Sequence, residues 1–141
     1  MGLNSEGREG EEEEQAIDAH LERLARAAID AGLKVHKALG PGLLESVYEQ
    51  CLAKELTLRG IAVQRQVSAP VFYEGMTLEG GYRIDLLLAD QLILEIKAVE
   101  ALSRLYEAQL RTYLRLSGRR LGFLMNFNVV LFKDGLKRIS V

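Results

Sequence analysis

The chain has 141 residues, of which 48% are hydrophobic, with two prolines, one cysteine and a formal charge of −2. That length suits one domain with a core of its own, and no apolar run nears the roughly 20 residues needed to cross a bilayer. The single thiol, Cys51, excludes an internal disulfide and a cysteine-ligated iron–sulfur cluster, so a reducing, cytoplasmic setting is the default expectation.

The charge is unevenly spread. Residues 1–15 hold six acids (Glu6, Glu9 and Glu11 to Glu14) against Arg8, which leaves 14 acids and 17 bases, about +3, on residues 16–141. The Glu-rich stretch reads as an acidic, disordered tail and not as a secretory signal, and 16–141 as a single domain. The mildly basic body suits a nucleic-acid partner, although a solvated charged face would read the same way.

Taken in chain order, Ile17, Leu21, Leu24, Ala28, Val35 and Leu39 recur at helical spacing and predict a helix over about 16–39, stopped by Gly40-Pro-Gly42. A second helix is expected over about 43–58, closed by Arg59-Gly60. Short strands follow at roughly 61–67, 70–74, 78–88 and 91–98. A third helix is expected over about 103–116, with Ser103 as N-cap and Ser117-Gly118 as its stop. A buried strand at about 122–127 comes next, then a strand pair, 129–133 and 136–140, turning at Lys133-Asp-Gly135. The fold class is α/β, a mixed central sheet flanked by helices.

Two of the predicted strands carry charges that core strands seldom hold. Arg83-Ile-Asp-Leu-Leu-Leu88 contains Asp85, and Leu92-Ile-Leu-Glu-Ile-Lys97 contains Glu95 and Lys97. A buried carboxylate is costly unless it is paired or binds a metal. Alternation puts Glu95 and Lys97 on one face of their strand, and a hairpin through Ala89-Asp-Gln91 can bring Asp85 to the same face. Two carboxylates and an ammonium then converge, which suits a hard divalent cation with a charged nitrogen beside it, as in a metal-dependent phosphodiesterase. The same three residues would also serve as a structural ion pair at a sheet edge. His36, beside the glycine break, reads as structural or exposed, and Cys51 as a small buried hydrophobe.

In order along the chain stand Gly42-x-x-Glu45-x-x-Tyr48, Asp85, Glu95-x-Lys97 and Gln109-x-x-x-Tyr113. This set resembles the PD-(D/E)xK nuclease superfamily, with a restriction-endonuclease-like core, and in particular its small GxxExxY branch. Gly81-Tyr-Arg-Ile-Asp85, Glu95-Ile-Lys-Ala-Val-Glu100 and Asn126-Phe-Asn128 are similar to that branch as well, so the resemblance covers residues 16–141. Gln109 and Tyr113 resemble the QxxxY motif of RecB-type exonucleases. Ile84-Asp85 replaces the superfamily's Pro-Asp dipeptide.

The resemblance implies Asp85 and Glu95 as ligands of Mg²⁺ or Mn²⁺, joined by the Ile96 backbone carbonyl and by Glu45. It implies Lys97 as the group that orients or deprotonates the attacking water, and Gln109 as its hydrogen-bond partner or a phosphate contact. Tyr113, Arg83 and Tyr48 are candidates for the substrate side of the site. The implied activity is hydrolysis of phosphodiester bonds in nucleic acid, DNA ahead of RNA, with no membrane role and room for a homodimer or larger assembly. The competing class is a catalytically silent nucleic-acid-binding or partner-assembly module that keeps the nuclease fold.

Overall fold

The computed structural model describes the backbone of residues 3–141 and the side chains of residues 18–141. Of the tail expected at residues 1–15, the backbone from Leu3 onward belongs to the first helix, and its side chains lie outside those described. Helix α1 spans Leu3–Leu39 and α2 spans Glu45–Leu58; strands β1 (Val63–Tyr73), β2 (Met76–Leu88) and β3 (Leu92–Lys97) follow. Helix α3 (Arg104–Ser117), β4 (Leu121–Asn126), a 3₁₀ turn (Phe132–Gly135) and β5 (Leu136–Ser140) complete the chain. No helix among the described residues is long and apolar enough to cross a membrane.

The five strands form one mixed sheet in chain order. Neighbours run antiparallel except β3 and β4, which are parallel and joined by the α3 crossover. Each face of the sheet is covered by helix. Leu86, Leu88, Leu92, Leu94, Ile96, Phe123 and Met125 pack under α1 and α2 with Leu24, Ala28, Leu52 and Leu56. Tyr82, Ile84, Leu87, Ile93 and Leu124 pack under α3 with Leu110 and Leu114. Strands buried on both faces explain why β3 and β4 read as unbroken apolar runs.

Local signals set most boundaries. The Ser103 hydroxyl caps α3 by accepting the Tyr106 N–H at 3.3 Å, and Gly118 ends the helix with φ +70°. Ala89 and Asp90 form the expected hairpin turn with φ values of 49° and 57°, closed by the Gln91 N–H on the Leu88 carbonyl at 2.9 Å.

Two expectations are corrected. The strands expected at 61–67 and 70–74 are one edge strand, β1, with a register shift at Pro70. An edge position tolerates a residue without an N–H. The strand pair expected at 129–133 and 136–140 is replaced by a 3₁₀ turn and the single strand β5. Tertiary packing overrides the Asp-Gly hairpin signal here. Phe132 is 3% exposed, and its ring lies 5.3 Å from that of Phe127. Its burial, worth roughly 2–3 kcal/mol, outweighs local turn preference.

Some of the basic residues of the body have acidic partners. Arg119 pairs with Asp90 at 2.6 Å, Arg120 with Asp18 at 2.7 Å, Lys137 with Glu107 at 3.3 Å, and Arg138 with Glu22. These pairs offset part of the positive charge of residues 16–141.

Gly135 passes so close to β4 that an added Cβ would lie 2.0 Å from the Asn126 carbonyl oxygen. Gly135→Ala should therefore cost about 3 kcal/mol or more in urea unfolding, because the obstacle is backbone. Gly60→Ala has open space around it but a φ of +80°, and should cost only about 1–2 kcal/mol. Equal losses would show that the approach to Asn126 relaxes freely.

Candidate active site

Strands β2 and β3 pair only from Leu86 to Leu88 against Leu92 to Leu94, whereas β3 and β4 stay paired from Leu92 to Lys97. Past Leu94, one side of β3 has no neighbouring strand. Asp85 occupies that gap. Its Oδ2 accepts the Ile96 N–H at 2.9 Å, and its own N–H donates to Glu95 Oε1 at 3.3 Å. The two carboxylates thus brace the fork where the strands part.

The side-chain alternation slips at the same step. Ile84 and Leu87 lie on the α3 face of the sheet, and Leu86 and Leu88 on the other. Asp85 sits at the break, so the binary pattern alone does not place it.

Glu95 is 3% exposed. Burial, reinforced by the Asp85 charge and a hydrogen bond with the Asp85 side chain, pushes its carboxyl up to about 9, while Lys97 pulls the other way. The raised value belongs to Glu95, the more buried of the two acids. Glu45, the first residue of α2, is raised by burial of its carboxyl; Lys97 and the Ala98 N–H oppose that shift, and Asp85 adds to it. Asp85, Glu95, Lys97 and Glu45 therefore feel one another's fields.

Tyr48 has a different place from the one expected. It is fully buried; its hydroxyl donates to the Gly40 carbonyl at 2.6 Å and accepts the Leu43 N–H at 3.0 Å. Its ring stacks on Phe127 with centroids 4.7 Å apart. The expectation of a substrate contact is corrected: Tyr48 clasps the loop before α2. Gly42, in that loop, has φ +99°, which a side chain would resist. In Gly42-x-x-Glu45-x-x-Tyr48, the glycine and tyrosine shape the loop and the glutamate alone reaches the carboxylate cluster.

The contact expected between Gln109 and Lys97 is also corrected. Gln109 is exposed and, among the described residues, makes no hydrogen bond to Lys97. The Lys97 ammonium lies 4.3 Å from the centre of the Tyr106 ring instead. Tyr106 precedes Tyr113 by two helical turns on the same face of α3, a spacing that marks both for the inner side. The Tyr113 ring meets Tyr82 at 4.9 Å, and its hydroxyl is held above its usual range by burial and by Glu95 and Asp85. Arg83 is exposed on β2 and pulls the Tyr113 value down, which puts it within electrostatic reach of that hydroxyl.

Further polar groups, to which the sequence assigned no role, support the site. Glu49, one turn after Glu45, is buried and bound by Arg65 at 2.9 Å and by the Gln66 side chain. Asn126 accepts the Val99 N–H at 3.0 Å and donates to the Val99 carbonyl at 2.9 Å, pinning the segment after Lys97. Asn126 lies in the Asn126-Phe-Asn128 stretch noted above, to which the sequence attaches no role. His36 is structural: its Nε2 donates to the Val129 carbonyl at 2.7 Å, and the ring packs on Phe127 and Phe132.

Among the described residues, no three His, Cys, Asp or Glu side chains stand together as a ready cage for a metal ion. Two touching carboxylates do, and Mg²⁺ characteristically takes one or two carboxylates and keeps water on its remaining positions. Asp85 adds to the upward shift of Glu95, so positive charge placed beside the pair would be favourable. The donor set therefore fits a hard divalent cation.

A family model of the PD-(D/E)XK nuclease superfamily matches residues 22–139, and the chain belongs to that superfamily. No curated protein and no solved structure matches it.

Native Glu95 keeps a proton up to about pH 9, whereas the unfolded chain releases it near the ordinary value of 4.5. Between those values the native state binds more protons, so metal-free stability must fall as pH rises. Glu95→Gln should flatten that slope and stabilise the metal-free protein at pH 8, read by urea unfolding in chelator at pH 5 and 8. Parallel slopes for the two proteins would place the Glu95 proton elsewhere.

Proposed function

We propose that this member of the PD-(D/E)XK nuclease superfamily is a metal-dependent nuclease, of the GxxExxY branch, that hydrolyses phosphodiester bonds in nucleic acid. The observation that carries the reading is the braced pair Asp85–Glu95 at the β2–β3 fork, with Lys97 leaving the same strand beside it.

Asp85 and Glu95 would hold the divalent cation, Mg²⁺ or Mn²⁺, with Glu45 at the margin. The Ile96 carbonyl joins them on backbone grounds. In a strand, the N–H and C=O of one residue point to the same side, and the Ile96 N–H points at Asp85. A cation bound there supplies charge neutralisation at the phosphate and lowers the pKa of a bound water.

Lys97 sits two residues after Glu95 on the α3 face. Held on Tyr106, its ammonium can orient the attacking water and stabilise charge on the phosphorane oxygens. Tyr113, which feels the charges of Glu95, Asp85 and Arg83, and the exposed Arg83 and Gln109 would meet a phosphate. Burial under α3 excludes water from Glu95, which strengthens each of these interactions.

The test is a titration of Mg²⁺ and Mn²⁺ with labelled single- and double-stranded DNA and RNA, wild type beside Lys97→Ala. Metal-dependent cleavage should fall about 10²–10⁴-fold in Lys97→Ala, the usual contribution of a positioned proton-transfer group. Equal cleavage by both preparations would defeat the assignment of Lys97 and point to a contaminant.

Metal should also raise the melting temperature of the wild type, since a ligand that binds only the folded state stabilises it. Asp85→Ala should abolish that rise. No cleavage with the metal-induced rise intact would favour the silent binding module, and no rise at all would leave only the fold.

A further inference from the structure

Gln66 lies within β1 with φ +53°, a left-handed conformation that a residue bearing a side chain avoids, and above all inside a strand. It is not at the hairpin tip. The ladder skips it: Arg65 pairs with Leu86 and Val67 with Ile84, while Gln66 and Asp85, which face each other, are unpaired. Both strands change face at this step, since Val63 packs under α1 and α2 whereas Val67 packs under α3.

The local distortion has a clear product. It carries the Gln66 side-chain amide into the space between α2 and the fork. There Nε2 donates to Glu49 Oε1 and lies 3.5 Å from Asp85 Oδ1. Both neighbours are carboxylate oxygens, which only accept, so the nitrogen and not the oxygen of the amide faces them. One NH₂ group has two protons and can serve both acids. Glu49 is itself fixed, 6% exposed and bound by Arg65 at 2.9 Å.

Asp85 is thereby held at each oxygen. The Ile96 N–H engages Oδ2 at 2.9 Å and the Gln66 amide faces Oδ1. The second contact is long, as catalytic hydrogen bonds often are before a site is filled. A carboxylate fixed at both ends cannot turn about its Cβ–Cγ bond, and outer hydrogen bonds of this kind are what aim a ligand.

We propose that Gln66 is a positioning residue, its strained backbone and the Glu49–Arg65 pair aiming an amide that locks the Asp85 carboxylate in its ligand orientation. The functional half of this rests on the nuclease reading; the structural half does not.

The experiment compares Gln66→Gly and Gln66→Ala with wild type. Both remove the amide, but glycine accepts φ +53° and alanine does not. Gln66→Gly should melt no lower than wild type and above Gln66→Ala. In Gln66→Gly, the Ile96 amide should exchange with solvent about 10-fold faster, because its only acceptor has become mobile and β2 no longer pairs there. Affinity for Mn²⁺, followed by calorimetry, should fall about 10–100-fold.

Unchanged Ile96 exchange in Gln66→Gly would overturn the proposal. So would faster exchange that merely tracks a lower melting temperature, the mark of a structural role. Faster exchange with Mn²⁺ affinity unaltered would overturn the functional half. Failure of the wild type to bind Mn²⁺ would sink the nuclease reading instead, and Ile96 exchange would still decide whether Gln66 fixes Asp85.

Discussion

The interaction on which the site depends is the bond from the Ile96 N–H to the Asp85 carboxylate. Where β2 turns away from β3, a buried strand loses its partner on one side, and an unsatisfied N–H there would cost about 1–3 kcal/mol. A side chain fills the place of the missing strand. The substitution does more than satisfy a donor. It draws Asp85 against Glu95, and it leaves the Ile96 carbonyl facing the same gap. A defect in the ladder thus becomes a concentrated set of oxygens.

The two helical layers meet this set in different ways. From one side, α2 presents Glu45 at its first turn, and the loop before it is clasped by Tyr48 and backed by Phe127. From the other, α3 contributes aromatic rings, with Tyr106 under the Lys97 ammonium and Tyr113 near the carboxylates. Apolar cover on the Glu95 side raises its pKa, and the acid stays neutral until something positive replaces its proton. Packing that is good for the core is therefore poor for the metal-free charge state. This is the ordinary conflict between stability and a prepared site.

Polar groups outside the motifs hold the arrangement together. Gln66 faces Asp85, Glu49 and Arg65 hold Gln66 from behind, and Asn126 fixes the segment after Lys97. Two of them, Gln66 and Asn126, act where the regular ladder fails or ends. Regular strands satisfy their own backbone; a fork and a strand terminus must borrow side chains for the purpose.

Much was legible in the sequence because it rests on local rules. Helical spacing gave α1 to α3, Ser103 and Gly118 gave the ends of α3, and apolar runs gave β3 and β4 as strands buried on both faces. The charged residues in those runs, Asp85, Glu95 and Lys97, stood out because buried charge needs a reason. Tertiary structure decided the rest. Phe132 buries itself against α1 and converts a well-marked hairpin into a 3₁₀ turn. Tyr48, a candidate for the substrate side by its motif, lies wholly inside. Gln109 and Lys97 do not meet, since Tyr106 takes the ammonium. Gln66 carries no sequence signal, because its importance comes from a backbone conformation that no propensity favours. Periodicity and composition report which side of an element faces inward; which inward groups touch is set by how the layers pack, and that is a property of the whole chain.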